Sequence, residues 1–331
     1  MPNPYISGTG FYLPSRIVTN DELSSYMNTT DEWIQERTGI KERRYVKKGE
    51  GPSDIAIPAI ESALNSAKLE VSDIDFIIFA TSTPDYYAPG SGCIIQDKMG
   101  FGEVGALDIR VQCSGFIYGL SIAEQYIKTG QFKNILLVGA EVQSTAMNLT
   151  DEGRDTAVIF GDGAGAAIVS STNEDRGILS THMHSEGKYL KELWLESPAS
   201  NAGNPRISAD ELEFGKQYLK MNGREVFRHA VTRFPEVIYE CLKKNNLSIN
   251  DIDLLIPHQA NLRITQMIQK KLGLNDNQVF SNIHKYGNTT AGTIPIALAE
   301  AIDEGKIFKG DIIIFASFGS GFTWASAAIK W

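Results

Sequence analysis

The chain contains one segment order twice. Leu69-Glu-Val-Ser-Asp-Ile-Asp-Phe-Ile-Ile78 returns as Leu247-Ser-Ile-Asn-Asp-Ile-Asp-Leu-Leu-Ile256, an offset of 247 − 69 = 178. Ala123-Glu124 followed by Gly130-Gln-Phe-Lys-Asn-Ile-Leu-Leu-Val138 returns as Ala299-Glu300 followed by Ile307-Phe-Lys-Gly-Asp-Ile-Ile-Ile-Phe315, an offset of 299 − 123 = 176. Two matches in one order at nearly one offset mark a duplication. With 331 residues the chain has room for two domain-sized halves. Each half alternates strand-like and helix-like patterns, which predicts an α/β fold with largely parallel sheets covered by helices. The expected halves, 1–173 and 174–331, are related by a pseudo-two-fold axis.

The local patterns fill in this frame. Residues 4–12 alternate as a strand. Thr19-Asn-Asp-Glu-Leu and Thr30-Asp-Glu-Trp open short capped helices, the second stopped by Gly39. Residues 53–69 read as an amphipathic helix with Ile55, Ile57, Ile60 and Leu64 inward. Phe76–Ser82 and Lys133–Ala140 are continuous apolar runs, as in strands buried on both faces. Ala157–Phe160 and Ala166–Ser170 read as strands joined by a Gly161-Asp-Gly-Ala-Gly165 turn. That turn resembles a phosphate loop, but both flanks read as strands, no Lys follows, and Asp162 would repel a phosphate. Residues 185–215 are irregular.

Ala106 to Leu120 carries the chemistry. A β-branched run ends at Gln112 and a helical pattern follows, so Cys113 should lie at a helix N-terminus, where the dipole lowers a thiol pKa. Cys113 reads as a nucleophile; a buried structural cysteine is the alternative. Shifting Cys113 by 176 lands on Thr289, beside Asn288, so the axis would bring these junctions together. His258 follows the Leu254–Pro257 run, and ligand sites in α/β sheets collect at strand ends. Cys113, His258 and Asn288 thus form a candidate constellation: an acyl-accepting thiol, a proton carrier and a fixed amide donor. A cap at His258 and a simple turn at Gly287-Asn288 are the plainer readings, and a papain-like hydrolase lies on a non-duplicated fold. His182-Met-His184 resembles a metal pair without an accompanying acid.

Composition excludes several classes. Only Cys93, Cys113 and Cys241 occur, which fits neither a disulfide framework nor a structural zinc site and suits a reducing cytoplasm. No apolar run approaches ~18 residues, and no secretory leader or membrane span is expected. The net charge of −9 argues against non-specific nucleic-acid binding.

Six motifs in order resemble the thiolase-fold condensing enzymes, specifically the β-ketoacyl-acyl-carrier-protein synthase III family. They are Thr38-Gly-Ile-Lys-Glu-Arg43, Cys113-Ser-Gly-Phe116, Phe160-Gly-Asp-Gly-Ala-Gly-Ala-Ala167, Pro257-His-Gln-Ala-Asn-Leu-Arg263, Gly287-Asn-Thr289 and Gly319-Ser-Gly-Phe-Thr-Trp324. The resemblance runs from Gly8 to Ala325. It implies five layers, α-β-α-β-α, in a cytoplasmic homodimer that starts fatty-acid synthesis. Cys113 would take an acyl group from acyl-coenzyme A, with the backbone amides of Cys113 and Ser320 as oxyanion hole. His258 and Asn288 would stabilise the enolate formed when malonyl-acyl-carrier protein loses carbon dioxide. No metal or redox cofactor is implied.

The resemblance also places binding residues. Trp33 and Arg154 match residues that sandwich the adenine of coenzyme A, with Arg37 and Thr38 beside them and Asn261 on the pantetheine. Ala88, Phe160 and Phe318 match the acyl pocket. Arg228, Arg263, Lys270 and Lys271 match the basic surface that docks the acidic carrier protein. Ala88 stands where many members place a bulky Phe from the partner subunit, which implies a deeper pocket for groups longer than acetyl. No Glu lies between Asp85 and Gly92, which weighs against enzymes that use a glutamate base beside the thiol. Two alternatives stand beside this expectation: a condensing or acyl-transferring relative of specialised metabolism, and a non-catalytic acyl-coenzyme A or carrier-protein binder.

Overall fold

The two halves build two sheets with one strand order. The structure is a computed structural model and describes residues 2–331. The first sheet runs Asn3–Tyr12, Gly163–Thr172, Asn134–Glu141, Phe76–Ala80, Gly105–Ile109. The second runs Gly177–Ser185, Thr323–Lys330, Ile312–Gly319, Leu254–Pro257, and Val279 forms a single parallel bridge with Leu255 where the first sheet has its fifth strand. The repeated sequences occupy equal places: Phe76–Ala80 is parallel to Asn134–Glu141, and Leu254–Pro257 to Ile312–Gly319.

The sheets are mixed rather than largely parallel. Gly163–Thr172 and Thr323–Lys330 lie antiparallel to their preceding strands, and the strand beyond each is antiparallel again. The second half shows why. Only Ser320-Gly321-Phe322 separate Gly319 from Thr323, and so short a link can only turn the chain back. Ala157–Phe160 is not a strand either. A single helical turn, Arg154–Ala157, takes in its first residue, and Phe160 makes one isolated bridge to Asn288. The apolar run is explained by burial among Ile34, Met147 and Ile283 rather than by a ladder.

Helices form the other three layers. Helix Pro52–Ala67 starts at Gly51, whose N–H donates to the Asp54 carboxylate at 2.8 Å. It covers the first sheet with Ile55, Ala56, Ala59, Ile60, Ala63 and Leu64, a stripe at helical spacing. Ile57 falls off that stripe and is only half-buried, because two residues along a helix is half a turn. Gly223–Lys244 and Leu262–Leu272 cover the second sheet. Between the sheets lie Gly115–Lys128 and Thr293–Asp303. Phe116, Leu120, Ile127, Ile294 and Leu298 pack there with Leu137 of one sheet and Phe315 of the other. Truncating such a side chain typically costs ~2–5 kcal/mol, so this double-faced layer holds the halves together.

Both central helices begin the same way. A single 3-10 turn, Gln112–Ser114, precedes Gly115, and Thr290–Gly292 precedes Thr293, an offset of 293 − 115 = 178. The counterpart of Cys113 is therefore Ala291, not Thr289. Gln112 and Thr290 are both left-handed, with φ of 45° and 50°. Each such residue costs ~1–3 kcal/mol and persists only where its surroundings over-determine it. The two turns touch each other, and Gly139 lies against the second, where a Cβ would run into the Ala291 carbonyl.

Candidate active site

Cys113 is buried at the start of its helix, with Gly319 of the second half pressed against it. The N–H groups of Ser320 and of Cys113 itself both address the sulfur. These are the two amides expected to form an oxyanion hole. The expectation of a lowered thiol pKa is overturned. Burial, and then the nearby Glu141 carboxyl, push the thiol up to about 12, against the pull of the two amides. A helix end supplies only ~0.3–1 kcal/mol at an exposed site, too little to offset removing a thiolate from water. The resting group is a thiol.

His258 lies just past strand Leu254–Pro257, its N–H donating to Ala316 O at 2.8 Å. Its Nδ1 is 2.6 Å from Thr293 Oγ1, and Thr293 Oγ1 donates to Thr290 O at 3.0 Å. Its Nε2 is buried with no protein partner. Burial lowers the ring pKa to about 3, so the imidazole is neutral. It caps nothing; Asn261 caps helix Leu262–Leu272 by accepting Arg263 N–H at 2.8 Å. Asn288 Oδ1 accepts Thr290 N–H at 2.8 Å, which fixes the amide and leaves Nδ2 as the atom available to a ligand.

One cavity of about 770 Å³ joins these groups. Cys113, His258, Asn288, Phe318 and Gly319 line it, and so do Trp33, Arg37, Thr38, Arg154 and Asn261 towards its opening. Arg37 and Arg154 both stack on the Trp33 ring, at 4.3 and 4.7 Å from its centre. Admitting an aromatic ring between Trp33 and Arg154 needs roughly 7 Å, two contacts of ~3.5 Å, so Arg154 has to move for that sandwich to form. Asn261 is held on both sides, its Nδ2 donating to Arg37 O at 2.9 Å. The opening is strongly positive: Arg37, Arg154, Arg224 and Arg263 line it against one acid, Asp155.

A second cavity of about 640 Å³ also reaches Cys113. Leu190, Leu193, Leu195, Ala146, Leu219 and Phe160 line it, with Ser320 and Gly321. Of the three expected acyl-pocket residues only Phe160 is here. Phe318 lines the first cavity, packed on Phe322 at 4.8 Å. Ala88 is exposed and lines neither cavity of its own chain; Tyr87 does. The irregular segment after residue 185 supplies much of this wall.

Other expectations sort themselves by contact. Arg228 is tied to Glu225 by its Nε and Nη2 at 3.0 and 2.6 Å, so it is not a free cation. Lys271 donates to Val231 O, Lys270 is exposed, and Arg263 lies at the first cavity's mouth. His182 and His184 do have an acid: Glu240, from helix Gly223–Lys244, lies 3.3 and 2.6 Å from them. Among the described residues no group of three or more His, Cys, Asp or Glu is arranged to hold a metal. Asp162 is a buried staple, accepting from Val46 N–H and Ser144 N–H. A glutamate does lie near the thiol: Glu141, from a strand end, held by Ser82 and Thr83 and lining neither cavity. Arg224 and Thr293 went unread in the sequence. Arg224 has no motif around it, and Thr293 looks like an ordinary first helical residue.

Known proteins resemble this chain in sequence and in fold. The family model for 3-oxoacyl-[acyl-carrier-protein] synthase III matches residues 107–187, and the model for its C-terminal part matches 242–331. The beta-ketoacyl-[acyl-carrier-protein] synthase III of Clostridioides difficile (strain 630) is 47% identical over 326 residues, covering 98% of each chain. That of Clostridium perfringens (strain ATCC 13124) is 45% identical over 330 residues, covering 100% of each. The crystal structure of 3-oxoacyl-[acyl-carrier-protein] synthase III from Aquifex aeolicus VF5 superposes with a TM-score of 0.90 at 42% identity, over 99% of this chain and 100% of that one. Two duplicated halves in five layers, a cysteine at the junction of one and a histidine and an asparagine in the other, belong to a chain of the β-ketoacyl-acyl-carrier-protein synthase III family, with the thiolase-like fold.

Proposed function

We propose that this chain joins an acyl-coenzyme A primer to malonyl-acyl-carrier protein by decarboxylative Claisen condensation, giving 3-oxoacyl-acyl-carrier protein, carbon dioxide and coenzyme A. The observation that carries the reading is the shared cavity: thiol, neutral imidazole and fixed amide face one space behind a cationic mouth.

The steps follow from the resting protonation. His258 Nε2, the atom with no protein partner, takes the Cys113 proton as the sulfur attacks the acyl carbonyl. The N–H groups of Cys113 and Ser320 hold the oxyanion. The carbon–sulfur bond to coenzyme A breaks, and the leaving thiolate takes the proton from Nε2. Malonyl-acyl-carrier protein then enters the same cavity. Asn288 Nδ2 and His258 hold its thioester oxygen, carbon dioxide leaves, and the enolate carbon attacks the Cys113 thioester. Cys113 departs as thiolate and recovers a proton from water. Apolar walls such as Phe318 disfavour the malonyl carboxylate and favour its loss. Every step is acyl transfer, decarboxylation or carbon–carbon bond formation, and none changes the redox balance between substrates and products, so the proposed chemistry calls for no redox or metal cofactor.

The arginines at the mouth suit the phosphates of coenzyme A and the acidic carrier protein. Strand Gly105–Ile109 pairs on one side only, and such an open edge suits pairing with a second copy across a two-fold axis. Among the described residues no helix is long and apolar enough to cross a membrane. Intact mass after incubation with acetyl-coenzyme A tests the first step: an acetyl adduct on wild type, absent in Cys113→Ala, is expected. Product analysis with malonyl-acyl-carrier protein tests the second, and a protein that acylates but forms no 3-oxoacyl product refutes the condensation.

A further inference from the structure

The proposed reaction asks two opposite things of one atom. In priming, His258 Nε2 must accept a proton. In decarboxylation it must donate a hydrogen bond to the enolate oxygen. A neutral imidazole carries its single proton on one nitrogen, so the group on Nδ1 decides which role Nε2 can play.

That group is the Thr293 hydroxyl, 2.6 Å away and buried with the ring. Its proton is directed to Thr290 O at 3.0 Å. A hydroxyl that donates there accepts from Nδ1–H, and Nε2 then bears the lone pair, consistent with its lack of any protein partner. The arrangement is reversible. Thr290 O also accepts the backbone N–H of Thr293, so it keeps a partner if the hydroxyl turns away. Turned, the hydroxyl donates to Nδ1 and Nε2 carries the proton.

We propose that Thr293 is a positioning residue that selects the His258 tautomer, accepting from Nδ1 before Cys113 is acylated and donating to it afterwards. The exchange removes a proton from Nδ1 and places one on Nε2 by way of cavity water, with no net change in charge. No acid need orient the histidine, and none of its hydrogen bonds involves one. This rests on the condensing reading of the site.

The decisive measurement is the nitrogen-15 NMR signature of the His258 ring. The resting wild-type protein should show the proton on Nδ1, and the acetylated protein should show it on Nε2. A resting proton on Nε2, or no change on acetylation, overturns the proposal. Thr293→Val keeps the side-chain shape and removes both hydrogen-bonding roles. Its kcat for priming and for condensation should each fall by about 10²-fold, with KM for acyl-coenzyme A little changed. Thr293→Ser should recover most of both rates. Wild-type rates in Thr293→Val, or a Ser variant as poor as Val, also overturn it. A wild-type protein that acylates without condensing refutes the proposed function instead, and the ring signature still decides the tautomer.

Discussion

Gly319 stands so close to Cys113 that a Cβ on it would lie 2.5 Å from the sulfur and 2.5 Å from the cysteine Cβ. The two residues come from opposite halves of the chain. Gly319→Ala should therefore displace the nucleophile without touching its chemistry. Acylation by acetyl-coenzyme A, followed by intact mass, should slow by about 100-fold or more, since small misplacements of reacting atoms cost that much. Stability should fall by about 1–3 kcal/mol from overpacking.

Substitution of the other two site residues should separate the steps. Asn288→Ala should acylate at near wild-type rate and lose decarboxylation of malonyl-acyl-carrier protein by about 10²–10³-fold. His258→Ala should slow both, because a thiol held near pKa 12 needs a base. The thiol's high pKa is what makes histidine matter to priming. Unimpaired acylation in His258→Ala would remove it from that step.

The buried histidine also sets a stability slope. In the unfolded chain His258 takes up a proton below its ordinary 6.5, while the folded chain refuses one until about pH 3. Acidification through that window favours the unfolded state. Between pH 7 and pH 5 wild type should lose about 2 kcal/mol more unfolding free energy than His258→Asn, measured by urea titration. Equal losses would show that the ring is solvated.

The second cavity makes a claim about substrate length. Its 640 Å³ exceeds what an acetyl group needs, so acyl-coenzyme A substrates longer than acetyl should turn over. Ala146→Phe should fill it and shift the kcat/KM ratio towards acetyl by about tenfold or more. A wild type confined to acetyl would mean that another element closes this space.

The cationic mouth should act mainly on carrier-protein encounter. Arg263→Glu and Arg224→Glu should raise KM for malonyl-acyl-carrier protein several-fold at low salt, with kcat preserved. The effect should shrink as ionic strength rises past about 0.15 M, where screening length falls to roughly 8 Å. An effect indifferent to salt would place these arginines in direct substrate contact instead.

Much of this was legible from residue order. The duplication foretold the repeated strand order, and the apolar runs around Phe76 and Leu136 foretold strands buried on both faces. Strand direction was not legible, because periodicity measures neither turns nor the path of a link: Ser320-Gly-Phe322 turns the chain back in the second half, while 21 residues join the equivalent antiparallel strands Asn134–Glu141 and Gly163–Thr172 in the first. Ala157–Phe160 failed for a related reason, since an apolar run records burial and not pairing. At the site, motifs placed Cys113, His258 and Asn288 around one cavity. The thiol's protonation was misread, because a helix N-terminus is visible in sequence and the depth of burial around it is not. Thr293 was invisible because its importance lies in one contact 35 residues away along the chain.

Gln112 and Thr290 hold the same left-handed bend in the two halves, one turn ahead of equivalent helices. The duplication preserved a mould and let its contents diverge: the position after the bend is a nucleophile in one copy and an alanine in the other. Because the bends face each other, any slip between the halves carries the sulfur one way and the asparagine's amide the other. The molecule can therefore lose its alignment long before it loses its fold. A partially loosened form of this protein should remain helical, compact and catalytically silent.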